Sequence, residues 1–191
     1  MDTAAARARG LLYGLLSLFF LPDFDEKRLS LARNVLESLP KTGVERFDSA
    51  VGDLREALAG KEATEIREEF ERLFIVPFEG AQIPLEASYY LEGKLFGPSL
   101  ARLRELLGEL GLARGEGVSE PEDHLGVLLA FMEAATQQNS LIQERELFYN
   151  FLRPCARGVT AKLEKEAFLY GKVAEMLEAF LELEERFFEE A

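Results

Sequence analysis

Leucine, phenylalanine and alanine return at three- and four-residue steps along nearly the whole 191-residue chain, and no stretch alternates polar with apolar residues as a half-buried strand requires. Leu12, Leu15, Leu16 and Phe19 share one face of a first helix that runs to about Phe20, with Asp2 or Thr3 placed to cap it and Pro22 closing it. Leu29, Ala32, Val35 and Leu36 mark a second helix over 25–39. Val44, Phe47, Val51, Leu54 and Leu58 mark a third, which Gly60 ends. Ile66, Phe70, Leu73 and Phe74 carry a fourth, broken before Pro77. A short helix over 89–95 follows, then one opened by Ser99 and stopped by Gly111, and one running on from Leu125 past Met132 and Ala135. Pro154 marks a kink or a fresh start after Leu147, Phe148, Phe151 and Leu152, and a long helix from Phe168 to Phe188 completes the chain. The expected fold is all-α: a single-domain bundle of roughly eight or more helices spanning 1–191, with a glycine-rich segment at 111–118 as its one candidate hinge.

Composition narrows the partners. With 48% hydrophobic residues the chain has enough apolar mass for a core. Its 35 acids against 22 bases repel nucleic acid and anionic membrane and attract basic ligands. One cysteine and one histidine leave no disulfide framework and no His- or Cys-rich metal site, so no metal is expected, and the reducing cytoplasm is the simplest compartment. Arg7 and Arg9 before the apolar run 10–21 mimic a secretion signal. Pro22-Asp23-Phe24-Asp25-Glu26 follows in place of a small-residue cleavage site, so the run is expected to be a buried helix. No glycine-rich phosphate loop is present.

Two stretches do not read as plain helix. Residues 77–88 form a loop punctuated by Pro77, Gly80 and Pro84 that still carries Phe78, Ile83 and Leu85. Further on, Ser119-Glu120-Pro121-Glu122-Asp123-His124-Leu125 has the form of a helix start. Ser119 is its N-cap and Glu122 completes a capping box, while the acids sit at the positive end of the dipole. That reading accounts for the acids and the proline but not for the only histidine. His124 is open to three roles: a structural residue bonded to an acid, a general base beside Asp123, or a recognition residue among carboxylates. Pairing with those carboxylates would favour its charged form. A nucleophilic pair of Cys155 with His124 is chemically conceivable, although Cys155 beside Pro154 in an apolar stretch reads as a small buried hydrophobe.

Together, Phe70-Glu71-Arg72-Leu73-Phe74, the loop 77–84, Glu86-Ala87-Ser88-Tyr89-Tyr90-Leu91, Leu95-Phe96-Gly97, Glu120-Pro121-Glu122-Asp123-His124-Leu125 and the run 147–154 resemble the TorD/DmsD/NarJ family over residues 66–183. Those proteins are cytoplasmic chaperones for molybdenum-cofactor oxidoreductases exported by the twin-arginine route. The resemblance implies a TorD-like all-helical fold and no catalytic residues. It also implies a leader-binding surface made from Pro121, Asp123 and His124 together with Phe78, Ser88, Tyr90 and Gly97, with Leu73 and Phe74 lining its apolar part. A twin-arginine leader asks for carboxylates at one end of a groove and adaptable apolar walls beyond it. Glu86, Glu120, Glu122 and Asp123 suit the first demand; Leu73, Phe74, Phe78, Leu85 and Tyr90 suit the second. Some members bind guanine nucleotide weakly; with no phosphate loop here, no cofactor is expected.

The expected partner is a molybdenum-cofactor oxidoreductase catalytic subunit with its leader, met by a monomer or by a dimer that exchanges helices at 111–118. The sequence departs from the family where its His-Leu-x-Pro-Trp block reads Phe151-Leu152-Arg153-Pro154-Cys155. Two other readings stand beside this one: an assembly factor acting on the body of a nitrate-reductase-type enzyme, and a small hydrolase built on His124 and Asp123.

Overall fold

A computed structural model describes residues 3–75, 82–138, 140–163 and 168–191. Among them the helices are α1 (Thr3–Phe20), α2 (Glu26–Ser38), α3 (Glu45–Leu58), α4 (Ala63–Phe70), α5 (Ala87–Glu92), α6 (Pro98–Glu109), α7 (Leu125–Ala135), α8 (Leu141–Leu147), α9 (Arg153–Thr160) and α10 (Phe168–Glu190). A π-helical turn, Glu71–Ile75, extends α4, and a second, Phe148–Leu152, joins α8 to α9. The architecture is all-α, and the described residues form no strand beyond one isolated bridge. Asp2, proposed above as a cap, lies outside the described residues. The chain divides into two compact units, one of Met1–Phe20 with Pro84–Gly158 and one of Leu21–Ile83 with Val159–Ala191.

The first unit is organised on α1 against α7. Both are apolar over most of their surface, and the contact is close because α1 offers glycine where α7 offers side chains. A Cβ at Gly10 would stand 2.8 Å from the Thr136 hydroxyl, and one at Gly14 would stand 2.7 Å from the Glu133 carboxylate. The Ser17 hydroxyl donates to the carbonyl of Gly126 at 2.8 Å, so the two helices run antiparallel. Their buried face includes Tyr13, Leu16 and Phe19 from α1 and Leu125, Leu128 and Met132 from α7. Arg9 pairs with Glu144 of α8 inside this unit, both side chains nearly or fully buried.

The second unit packs α10 antiparallel on α3. Arg46 pairs with Glu178 at 3.3 Å and with Glu182, and Lys172 reaches Asp53 at 3.5 Å. Capping fixes the helix ends. The Asp25 side chain accepts the Arg28 N–H at 2.9 Å, Glu62 and Glu65 form a capping box on α4, and Arg33 donates to the carbonyls of Leu58 and Lys61 beyond the end of α3. Glu69, buried on α4, accepts the N–H groups of Leu169 and Tyr170 at 3.3 and 3.1 Å and so closes the start of α10. Phe74 lies 5.1 Å from Phe70 and 5.3 Å from Tyr170, ring centre to ring centre, in an aromatic core.

Candidate functional site

The loop before α5 and the segment before α7, both in the first unit, meet backbone to backbone. Glu86 and His124 form an antiparallel bridge: the Leu125 N–H donates to Leu85 O at 2.7 Å and the Ala87 N–H donates to Asp123 O at 2.8 Å. Proline at 84 and 121 keeps both segments out of helix just where they pair. The bridge sets Glu86, Ser88 and Tyr90 beside Glu122, Asp123 and His124, residues 35 or so apart in sequence.

Asp123 is the centre of the arrangement. Its side chain is 1% exposed, and Oδ2 accepts the Ser88 N–H at 2.9 Å. Oδ1 is buried and has no hydrogen-bond partner. Ser88, itself fully buried, passes the connection on: its hydroxyl oxygen accepts the Phe96 N–H at 3.2 Å. Glu86 is half-buried, and Oε2 accepts the Leu85 N–H at 3.1 Å. Burial above all, and the neighbouring Asp123 charge, lift the Glu86 carboxyl above its ordinary value, with backbone N–H groups working the other way. Among the described residues neither carboxylate has a cationic partner.

The other acids are differently placed. Glu122 is held by two arginines, Arg104 at 2.9 Å and Arg114 at 3.3 Å. Burial opposes its charge, but the hydrogen bond from Arg104 and the charges of Arg104 and Arg114 keep it below the usual carboxylate range. Glu120 accepts the Ser119 hydroxyl at 2.9 Å, and the same stretch is tied by Arg114 to the Glu120 carbonyl at 2.8 Å. Pro121 is partly exposed and its carbonyl accepts the His124 N–H at 3.1 Å.

His124 corrects two expectations. The helix begins at Leu125, not within 119–122, and its N-cap is His124: Nδ1 accepts the Gly126 N–H at 3.2 Å. The capping box of Ser119 with Glu122 is absent because Glu122 turns to its arginines and the intervening residues form turns. His124 is also neutral rather than charged. Burial outweighs the charges of Glu120 and Asp123 and lowers its pKa to about 4. As an acceptor at Nδ1, the ring carries its proton on Nε2.

Around this centre the side chains are locked. The Tyr90 hydroxyl donates to Pro84 O at 2.7 Å, and its ring covers Gly158 so closely that a Cβ there would stand 2.1 Å from the ring. The Cys155 thiol donates to Leu85 O at 3.4 Å, and burial, then the charges of Asp123 and Glu86, push it well up, so it stays a thiol. Gly97 is needed because a Cβ would fall onto the Glu92 carboxylate, which accepts the Ser99 N–H at 2.6 Å and closes the start of α6. A neutral, occupied imidazole and a buried thiol leave no nucleophile–base pair here.

Of the expected site residues, the structure therefore brings together Glu86, Ser88, Tyr90, Gly97, Glu120, Pro121, Glu122, Asp123 and His124. Leu73, half-buried, and Phe74, buried, belong to the second unit. Phe78 and the loop positions 77–81 lie outside the described residues. Cys155, Gly158 and Glu92 were missed. A buried cysteine was legible, but nothing in a lone Gly158 announces an aromatic ring above it.

An all-helical protein with an acidic, non-catalytic notch is the class that this geometry defines. The chain belongs to the nitrate reductase delta subunit family, whose model matches residues 44–182. It is similar to the chaperone protein TorD of Shewanella sp. ANA-3, 31% identical over 136 residues covering 65% of each chain, and to that of Shewanella loihica, 30% identical over 75% of each. The chain thus spans just under two thirds of the first of these relatives. A solved structure, a putative redox enzyme maturation protein from Archaeoglobus fulgidus, superposes with a TM-score of 0.61 at 27% identity over 93% of both chains. These relatives are named as chaperones and maturation proteins, not catalysts. Among the described residues no helix is long and apolar enough to cross a membrane.

Proposed function

We propose that this chain is a cytoplasmic chaperone for a molybdenum-cofactor oxidoreductase, and that it binds the twin-arginine leader of that client, delaying export until cofactor is loaded. The supporting observation is the pair Glu86 and Asp123: two carboxylates joined by one bridge, without a cationic partner among the described residues, the buried one keeping an oxygen unbonded. A guanidinium supplies what that oxygen lacks, because Arg prefers two acceptors presented together. Glu86 and Glu120, the more accessible acids, meet the ligand first; Asp123 engages when the rim yields. Binding orders a flexible leader, which keeps affinity moderate and suits a chaperone that must release its client.

Calorimetry with a synthetic peptide of two arginines followed by an apolar run, against the same peptide with two lysines, tests the reading. The arginine peptide is expected to bind about tenfold or more tightly. Asp123→Asn, which keeps an acceptor for the Ser88 N–H, is expected to abolish most of that preference. Equal affinity for both peptides overturns arginine readout by the carboxylates. The name of the matched family favours a second reading, in which the chain acts on the body of a nitrate-reductase-type enzyme; recovery of a leaderless catalytic subunit in a pull-down would select it.

A further inference from the structure

Two non-glycine residues in the described chain have positive φ. Asp23, at 61°, is of a type that tolerates the left-handed region; Phe96, at 56°, is not. Phe96 is also 68% exposed, so no burial of the ring explains why a phenylalanine occupies a position that glycine or asparagine would fill without strain. Leu95, 45% exposed, precedes it, and Leu91, 36% exposed, stands on the last turn of α5. Between them Gly93, at φ 71°, makes the turn. The conformation is imposed from inside: the Phe96 N–H is held by the Ser88 hydroxyl, and the Ser88 N–H is held by Asp123. The apolar patch is thus tied by two consecutive hydrogen bonds to the carboxylate proposed to read arginine.

We propose that Leu91, Leu95 and Phe96 form the seat for the apolar stretch that follows the arginine pair of the leader, with Ser88 as the positioning residue that fixes its distance from Asp123. This rests on the leader-binding reading above and adds to it the apolar half of the site. The occupant follows from charge and order. A segment cationic at one end and apolar beyond matches a surface that is anionic at Asp123 and Glu86 and apolar one hydrogen-bonded residue away. The outward phenylalanine in a disfavoured conformation is the kind of local strain that persists where a ligand contact uses it.

The test replaces Phe96 by Asn, which accepts the left-handed conformation and removes the ring. Three peptides are titrated: two arginines with an apolar run, two arginines with a serine–glycine run, and two lysines with an apolar run. Phe96→Asn is expected to weaken the first about tenfold, to leave the second unchanged, and to keep the preference for arginine over lysine, while its melting temperature equals or exceeds that of the wild type. Ser88→Ala is expected to reproduce the loss in part with the ring still present. If Phe96→Asn binds all three peptides as the wild type does, the seat is wrong and the carboxylate reading stands. A wild type that does not distinguish arginine from lysine, with the loss on the apolar tail intact, overturns the carboxylate reading alone. Concentration-dependent self-association that Phe96→Asn abolishes would assign the patch to a second copy and overturn the proposal.

Discussion

The ring of Tyr90 lies on the bare Cα of Gly158, and the hydroxyl at its far end is fastened to the carbonyl of Pro84. A side chain anchored at both ends cannot swing aside for an added methyl. Gly158→Ala is therefore expected to destabilise the protein by about 1–3 kcal/mol, the usual range for overpacking. In the background of Tyr90→Ala the same substitution should cost nearly nothing, and a double-mutant cycle by urea unfolding reads the difference.

Acid sensitivity should trace to His124. Its pKa is about 4 in the fold against 6.5 for the free side chain, so the unfolded chain binds the extra proton first. Stability from this residue is full above pH 6.5 and is lost as pH falls toward 4, by on the order of 3 kcal/mol if the whole shift is expressed. His124→Asn keeps a capping acceptor for the Gly126 N–H and removes the titration. Its unfolding free energy should fall less than that of the wild type between pH 6.5 and 4.5.

Glu86 runs the other way. Its raised carboxyl pKa means that the fold holds this proton more tightly than the unfolded chain does, so its contribution to stability is present at low pH and fades as pH climbs past the ordinary carboxylate value. A guanidinium favours the ionised form. Leader binding should then release a proton, and affinity for the arginine peptide should rise with pH through that window. Calorimetry in two buffers of different ionisation enthalpy measures the release, and Glu86→Gln should suppress it.

In the second unit, Glu69 closes α10 by accepting the Leu169 and Tyr170 N–H groups. Glu69→Ala leaves both donors without that acceptor and should lower stability by about 1–3 kcal/mol in urea unfolding. Far-ultraviolet dichroism of the folded variant should show little change, since the body of α10 is buried along its length by residues such as Leu169, Val173, Leu177 and Phe180.

Most helix boundaries were readable because their signals are local. Asp25 caps α2, Gly60 and Gly111 take positive φ just after α3 and α6, and the stripe of α3 repeats as its core face. The site was readable only in its membership. Ser119 and Glu122 have the spacing of a capping box, and nothing within that heptapeptide says that Arg104 and Arg114 will take the glutamate or that His124 will cap instead. The state of the histidine was misjudged for the same reason: its neighbours in sequence are acids, while the burial that outweighs them is set by a bridge to residue 86. The sign of φ at Phe96 is invisible for a different reason, since its side chain is one that normally excludes it.

The π turn at Phe148–Leu152 bends the count rather than the axis: the Arg153 N–H reaches back five residues to Phe148, where an α-helix reaches back four. Deleting one residue there would restore ordinary winding without unravelling anything, yet everything downstream would rotate by about 100°. Cys155 would leave the Leu85 carbonyl, and Gly158 would carry its gap out from under Tyr90. A single-codon loss at this turn would thus read as silent in helix content while misphasing the support beneath the notch.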